Sequence, residues 1–150
     1  MRTNYDLLIQ QLDALLHNEY DLIANAANAS ALLYHALDNI NWAGFYFFKN
    51  NELILGPFQG KVACMHIPLD KGVCGHAATI KQVVVVNDVH LFPGHIACDS
   101  ASESEIVIPL IKNNQLLGVL DIDSPNKNRF NDDDKNFFIT FVDHFLDHLL

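Results

Sequence analysis

Apolar residues recur at helical spacing in three stretches of the chain, two near its start and one at its end. The first stretch has leucines at positions 7, 8, 12, 15 and 16, and the second is the alanine-rich stretch 21–37. The third follows Asn131 and Asp132, which suit a helix start, and carries a phenylalanine-rich face between residues 137 and 149. This spacing predicts two N-terminal helices and one C-terminal amphipathic helix.

A β-hairpin is predicted directly after the second helix. The aromatic run NWAGFYFF at residues 41–48 has strand character. Asn50-Asn51 is a turn signal, and the apolar residues 53–55 begin the return strand. Gly56-Pro57 is expected to end that strand.

A second hairpin is predicted in the C-terminal half, where the apolar runs 105–111 and 116–122 flank a turn at Asn113-Asn114. The remaining predicted elements are an extended segment at 62–67, a short helix from 71 to about 80, and a strand at 83–86. Residues 87–104 then form a long irregular segment of mixed composition. A loop of that length in a compact domain is usually functional.

The order of these elements indicates an α+β fold. Because hairpins dominate the strands, we expect an antiparallel sheet, with helices from both chain ends covering one face. The chain has 150 residues and shows neither an internal repeat nor a domain linker. We therefore predict a single domain spanning residues 1–150.

Charge and hydropathy exclude two classes of partner. The formal net charge is −9, whereas nucleic-acid binding needs clustered Lys and Arg. No apolar run approaches the roughly 18 residues that a membrane-spanning helix requires. The N-terminal sequence MRTNYDLLIQQL lacks the features of a secretion signal, so we expect a cytoplasmic protein.

Three cysteines raise the question of function. In a reducing compartment they are reactive thiols, metal ligands or inert core residues. Cys98 lies in PGHIACDSASESE, within the long irregular segment, where a thiolate could attack an electrophilic sulfur, carbonyl or peroxide. Cys74 is flanked by glycines where a helix begins, a position that favours a thiolate. Cys64 ends the extended run GKVAC.

A zinc site is the competing interpretation of these cysteines. Cys64-x-His66, Cys74-x-His76 and His95-x-x-Cys98 offer enough nitrogen and sulfur atoms for a tetrahedral site. The spacing argues against it, because structural zinc sites usually contain a Cys-x2–4-Cys knuckle and the chain has none. We expect no metal or other cofactor.

Acidic residues lie at the start of the first strand of the second hairpin and at the end of its second strand. Asp121 and Asp123 share one face of a strand, and counting outward from the turn puts Glu105 opposite residue 121 or 122. Such a carboxylate cluster is costly unless it binds a cation or holds a proton, although a solvated strand end is the alternative. The ammonium group of a free amino acid would suit it, and the retained proton could protonate a sulfoxide oxygen.

Several segments of the chain resemble those of one known family, the free methionine-(R)-sulfoxide reductases, which are GAF-domain enzymes. The similar segments are NWAGFYF, LGPFQGKVAC, KGVCGHA, DVHLFPGHIACDSASESEIVIPL and GVLDIDS. The resemblance runs from about Ala24 to the terminal helix and includes the spacing of all three cysteines. It implies a GAF-like, six-stranded antiparallel sheet flanked by helices, with a closed pocket for one free methionine-R-sulfoxide.

The resemblance also implies roles for particular residues. Cys98 would be the nucleophile that becomes a sulfenic acid, Cys64 the main resolving thiol, and Cys74 a second thiol that exchanges into the disulfide. Thioredoxin would reduce the enzyme, and a homodimer is allowed. The matching pocket residues are Trp42, Tyr46, Glu105, Asp121 and Asp123, of which Glu105 and Asp123 are the preferred proton donors.

One position departs from the family pattern, since Asp70 stands where the family more often has glycine. The alternative function is a non-catalytic GAF module that senses a small ligand, because a fold does not fix a function. The zinc-bound protein described above is the third interpretation.

Overall fold

Six strands form a single antiparallel sheet in the order β3-β2-β1-β6-β5-β4. The computed structural model describes residues 3–96, 98 and 100–150. The strands are β1 (Trp42–Lys49), β2 (Glu52–Gly60), β3 (His66–Pro68), β4 (Val84–Val86), β5 (Ser104–Lys112) and β6 (Gln115–Ser124). The helices are α1 (Tyr5–Leu15), α2 (Leu22–Ala36), α3 (Gly72–Ile80) and α4 (Asp132–Asp147), with a 3-10 turn at Val89–Leu91. The predicted α+β class and six-stranded antiparallel sheet are confirmed.

The two faces of the sheet pack against different helices and form two separate apolar clusters. Helices α1, α2 and α4 pack on one face, where Phe45 and Phe47 of β1 join the main apolar cluster. On the opposite face, Trp42 and Tyr46 of the same strand belong to a second cluster with α3. Because side chains alternate along a strand, the sequence of β1 supplies both clusters at once.

The C-terminal helix is well defined by its own sequence. The Asn131 side chain accepts from the N–H of Asp134, and the Asp134 carboxylate accepts from the N–H of Asn131, which completes a capping box. Phe138, Phe141 and Phe145 are almost completely buried against the sheet. The predicted helix start at Asn131 and Asp132 is thus confirmed, with Asn131 as the cap.

The strand β2 is longer than the sequence predicted. Gly56-Pro57 was expected to end it, but β2 continues through both residues to Gly60. The pairs Gly44–Phe58 and Tyr46–Leu55 leave Gly56 and Pro57 together opposite one residue of β1, which is a β-bulge. Pro57 is tolerated there because a bulged residue need not donate a ladder hydrogen bond.

A second bulge corrects the predicted register of the acidic residues. Ile111 pairs with Leu116 whereas Leu110 pairs with Gly118, so Leu117 is an extra residue on β6. Glu105 consequently pairs with Asp123, not with residue 121 or 122. Since side chains alternate faces, this one-residue difference decides whether Glu105 and Asp123 share a face.

Two smaller elements differ from their predicted extent. The extended segment expected at residues 62–67 contains only the short strand His66–Pro68, and residues 61–65 are irregular. Asp70, the departure from the family pattern, has φ of 63°, in the left-handed region that glycine occupies most easily. Its N–H donates to the carbonyl of Gly75 at 3.1 Å, which holds the turn that leads into α3. Among the described residues, no helix has the length and apolar character needed to cross a membrane.

Gly118→Ala is expected to destabilise the protein strongly. Gly118 has φ of 157°, and a Cβ there would lie 2.0 Å from the Tyr46 carbonyl oxygen of the neighbouring strand. We expect a loss of about 3 kcal/mol or more in the free energy of unfolding, measured by urea denaturation. Gly94→Ala is the matched control, because Gly94 also has positive φ, but a Cβ added there would meet no atom of the described residues within 4 Å. Its cost should be about 1 kcal/mol, and equal losses for the two variants would contradict the close-approach argument.

Candidate active site

A small cavity lies on the α3 side of the sheet, between β1, β5, β6, the start of α3 and the segment that follows the 3-10 turn. The space within it that the centre of a water molecule can occupy is about 40 Å³. The candidate residues that line it are Trp42, Tyr46, Cys74, Cys98, Glu105, Asp121 and Asp123. Cys64 is the one candidate that does not line it. The structure thus brings together residues that are up to 81 positions apart in sequence (from 42 to 123).

A disulfide joins Cys64 and Cys98 across one wall of this cavity. Their Cα atoms are 5.5 Å apart, although the residues are separated by 34 positions in sequence. Cys98 lies on the cavity side of the bond, whereas Cys64 belongs to the irregular segment 61–65 between β2 and β3. The two sulfurs therefore connect the cavity to the surface segment.

Two aromatic residues of β1 hold the segment that carries Cys64. Trp42 and Tyr46 share a strand face, and their rings stack with centroids 5.8 Å apart. The indole N–H of Trp42 donates to the carbonyl of Lys61 at 3.1 Å. The hydroxyl of Tyr46 donates to the carbonyl of Cys64 at 2.9 Å. Both rings are therefore wall residues of the cavity and supports of the Cys64 backbone.

Cys74 is the free cysteine, and it is buried beneath the cavity. Its Sγ lies 3.9 Å from Oε2 of Glu105. Burial raises the pKa of the Cys74 thiol well above its usual value, and the nearby Asp121 and Glu105 carboxyls raise it further. The start of a helix favours a thiolate, but here burial and negative neighbours outweigh that effect. Cys74 is accordingly a neutral thiol in the disulfide-bonded state.

Three carboxyl groups line one wall of the cavity, and they come from the paired strands β5 and β6. Glu105 and Asp121 are 7% and 5% exposed, and Asp123 lies opposite Glu105 in the strand register. Burial raises the pKa of all three groups, and the charge of Asp121 raises the pKa of Glu105 and Asp123 further. Interactions with Glu105, Cys74 and Asp123 oppose the rise at Asp121. Asp121 is therefore the carboxyl that ionises most easily, while Glu105 and Asp123 retain protons.

Two oxygens of this wall have no protein partner. Oδ1 of Asp121 and Oδ1 of Asp123 are sealed from solvent and accept no hydrogen bond from the described residues. A buried polar atom without a partner is costly. These atoms are thus placed to accept N–H groups from a bound cation, and an ammonium group has the required charge and donors.

Metal ligation was the competing interpretation, and the histidines do not support it. Within the described part of the chain, two groups have ligand atoms close enough for a metal, namely Cys74 with Glu105 and Asp121, and Asp88 with His90 and Glu103. Neither contains His66, His76 or His95. Nδ1 of His66 instead pairs with Glu52, and Nδ1 of His76 lies 3.9 Å from Asp70. The zinc arrangement suggested by the sequence spacing does not form.

Sequence analysis did not place two polar residues in the site, namely Ser102, which it did not single out, and His95, which it considered only as a possible zinc ligand. Ser102 is 5% exposed, lines the cavity and accepts from Nδ2 of Asn41 at 3.2 Å. His95 also lines the cavity, and burial lowers the pKa of its imidazole. Both residues lie in the irregular segment 87–104, so the available signal was the length of that segment and not the residues themselves.

Comparisons with known proteins agree with this architecture. The family model of the GAF domain matches residues 28–148. Protein YtsP of Bacillus subtilis is 54% identical over 142 residues, covering 93% of this chain and 87% of that protein. The free methionine-R-sulfoxide reductase of Escherichia coli is 54% identical over 131 residues, covering 87% and 79%. The fRMsr of Staphylococcus aureus in complex with substrate has a TM-score of 0.96 at 51% identity, covering 100% and 98%.

The fold and the lining of the cavity define a GAF domain with a disulfide-bonded cysteine pair beside a carboxyl-lined cavity. The chain belongs to the free methionine-R-sulfoxide reductase family, a family of enzymes within the GAF domains. This assignment confirms the family resemblance found in the sequence, and it favours an enzyme over a non-catalytic sensor module.

Glu105→Gln is expected to stabilise the folded, disulfide-bonded protein at neutral pH. A glutamate ionises near pH 4.3 in an unfolded chain, whereas burial raises the pKa of Glu105 and keeps it protonated to higher pH in the folded chain. Folding then takes up a proton above about pH 4, so the stability of the wild type falls as pH rises from there towards the folded-state pKa. The amide removes this proton uptake, because glutamine does not titrate.

We expect the variant to exceed the wild type by about 1 kcal/mol or more at pH 7 and to approach it near pH 4. Thermal unfolding from pH 4 to 8 measures both curves. Asp143→Asn is the control, because Asp143 is exposed on α4, and its curve should run parallel to that of the wild type. A Glu105→Gln curve parallel to the wild type would show that Glu105 is ionised in the folded protein.

Proposed function

We propose that this protein reduces the R-sulfoxide of free methionine, with Cys98 as the nucleophile and Cys64 as the resolving thiol. The observation that carries the proposal is the Cys64–Cys98 disulfide at the wall of a cavity lined by the carboxyl groups of Glu105, Asp121 and Asp123. In its reduced form this cysteine pair supplies two electrons as it becomes the disulfide, and the carboxyl groups supply protons. Reduction of a sulfoxide needs both.

The cavity has suitable groups for each end of an amino acid. Asp121, with Oδ1 unpartnered, and its neighbour Asp123 would accept the ammonium group. The first turn of α3 lines the cavity at Gly72, Val73 and Cys74. The N–H of Gly72 donates to the carbonyl of Gly94 at 3.1 Å. Because the first N–H groups of a helix lack partners within the helix, those of Val73 and Cys74 can donate to the substrate carboxylate. Trp42 and Tyr46 supply an apolar wall for the side chain.

The chemistry proceeds in two steps. In the first step, the Cys98 thiolate attacks the sulfoxide sulfur while Glu105 or Asp123 protonates the oxygen. The oxygen is transferred to Cys98 as a sulfenic acid, and methionine leaves. In the second step, Cys64 attacks the Cys98 sulfur and displaces water, which forms the disulfide observed here. The sum converts one sulfoxide and two thiols to methionine, a disulfide and water.

The small size of the cavity supports a free amino acid as substrate. Its volume of about 40 Å³ in the disulfide-bonded form leaves little room for polypeptide chain on both sides of a bound residue. Thioredoxin as the reductant, Cys74 as a second exchanging thiol, the single domain over residues 1–150, the cytoplasmic location and the homodimer remain predictions. The neutral, buried state of Cys74 argues that it exchanges only after the site opens.

Three serine variants separate the roles of the cysteines. We expect Cys98→Ser to abolish methionine formation, with a loss of at least about a thousandfold in turnover, because it removes the attacking thiolate. Cys64→Ser should release one equivalent of methionine and then stop with Cys98 as a sulfenic acid. Cys74→Ser should retain turnover with thioredoxin, as the buried thiol is outside the disulfide.

Single-turnover methionine release and mass spectrometry of the cysteines measure these outcomes. Normal methionine release by Cys98→Ser would refute the assignment of the nucleophile.

A coupled NADPH–thioredoxin assay on separated epimers tests the substrate. We expect turnover of free L-methionine-R-sulfoxide and background rates with the S epimer, because the similar reductases of Escherichia coli and Saccharomyces cerevisiae are named for the R epimer. A peptide with an internal methionine-R-sulfoxide is the control for the closed cavity, and it should be a poor substrate. Comparable rates for the free and the peptide-bound sulfoxide would contradict a pocket closed around one amino acid.

A further inference from the structure

The disulfide presents its two sulfurs to different surroundings, and this difference decides how it can be reduced. We propose that the dithiol reductant attacks Sγ of Cys64, docking on the exposed apolar side chains of Val62 and Met65, and that Cys98 is the leaving thiolate. This inference rests on the proposed function, in which the disulfide must be reduced in every catalytic cycle. The partner is a protein with two vicinal thiols beside an apolar surface.

The direction of approach distinguishes the two sulfurs. A thiolate attacks a disulfide sulfur along the line of the S–S bond, from the side opposite the leaving sulfur. Cys98 lines the cavity, whose volume of about 40 Å³ has no room for part of a protein. Cys64 does not line the cavity and lies on the segment 61–65, so an incoming thiolate can reach its sulfur without entering the cavity.

The charges near the two sulfurs favour the same choice. Glu105, Asp121 and Asp123 line the cavity on the Cys98 side, and the charge of Asp121, the carboxyl that ionises most easily, opposes the approach of a second anion. The segment KVACMH around Cys64 contains Lys61 and His66 but no acidic residue, and the carboxylate of Glu52 beside it is paired with His66. An attacking thiolate thus meets less negative charge at Cys64.

The side chains beside Cys64 form a surface for the partner. Val62 is 87% exposed and Met65 is 68% exposed, which places two apolar groups in solvent on either side of Cys64. Their backbone is nevertheless fixed, because the carbonyls of Lys61, Cys64 and Met65 accept hydrogen bonds from Trp42, Tyr46 and Leu55. A rigid segment that exposes apolar groups loses little conformational entropy on docking.

The electron balance of this step is complete. The reductant thiolate forms a bond with Sγ of Cys64, the Cys64–Cys98 bond breaks, and Cys98 leaves as a thiolate beside the cavity. The second thiol of the reductant then attacks the reductant sulfur that is bonded to Cys64, and Cys64 is released. The reductant becomes a disulfide and loses two electrons, and its two thiol protons are available to the two cysteines of this protein.

Trapping the mixed disulfide tests which sulfur is attacked. The protein is first oxidised to the Cys64–Cys98 disulfide with diamide, which requires no sulfoxide, and is then mixed with a thioredoxin variant whose resolving cysteine is replaced by serine. Peptide mapping by mass spectrometry should find thioredoxin on Cys64 and Cys98 as a free thiol. Thioredoxin on Cys98, or no mixed disulfide with either cysteine, would overturn the proposal.

Surface variants test the docking site. Val62→Ser and Met65→Ser should each raise the KM for thioredoxin by about tenfold, with unchanged methionine release in a single turnover and unchanged reduction by dithiothreitol. Ile23→Ser is the matched control, because Ile23 is an apolar residue 53% exposed on α2, which packs on the opposite face of the sheet, and it should leave the KM unchanged.

An unchanged KM in both surface variants, or an equal loss with dithiothreitol, would overturn the docking surface. Absence of any methionine from the wild type with free methionine-R-sulfoxide would refute the proposed function instead. The trapping result would still show which sulfur a protein dithiol attacks.

Discussion

The clustering of three carboxyl groups in the lining of one small cavity is the constraint around which the site is organised. The burial of Glu105 and Asp121, together with the nearby charge of Asp121, disfavours ionisation of all three groups at once. The fold accommodates them by keeping protons on two of them, and Oδ1 atoms of Asp121 and Asp123 remain without partners among the described residues. Carboxyl groups whose oxygens accept no hydrogen bond lower the stability of the folded protein. Such destabilising groups are typical of functional sites.

The sheet separates these carboxyl groups from the apolar core that stabilises the fold. Phe45 and Phe47 of β1 point to the helix-covered face, where α1, α2 and α4 complete a large apolar core. Trp42 and Tyr46 of the same strand point to the cavity. The helical face thus offsets the unfavourable burial of charge on the other face, and one strand connects the two through its alternating side chains.

The two cysteines of the disulfide also lie in different surroundings. Cys98 lies where the carboxyl groups and the aromatic wall meet, and Cys64 lies on a segment between exposed Val62 and Met65. Tyr46 links the two functions, since its ring lines the cavity while its hydroxyl holds the carbonyl of Cys64. In the proposed function, the substrate reacts at the Cys98 side of this bond and the reductant at the Cys64 side.

The sequence alone determined the elements with strong local signals. Helical periodicity and the Asn131 cap defined the helices, turn signals defined both hairpins, and the spacing of Cys64, Cys74 and Cys98 in a specific set of segments identified the family. The side-chain alternation within β1 also put Trp42 and Tyr46 on one face correctly. These features depend on residues a few positions apart, so the pattern contains the information.

Only the tertiary structure decided the contacts that depend on register and on loop paths. The bulge at Leu117 moved Glu105 opposite Asp123, and the bulge at Gly56-Pro57 let β2 continue where the sequence predicted its end. The neutral state of Cys74 and the inclusion of Ser102 and His95 also followed from packing between distant segments. A bulge is a compromise between two strands and their neighbours, and burial is a property of the whole fold, so neither is written in the local sequence.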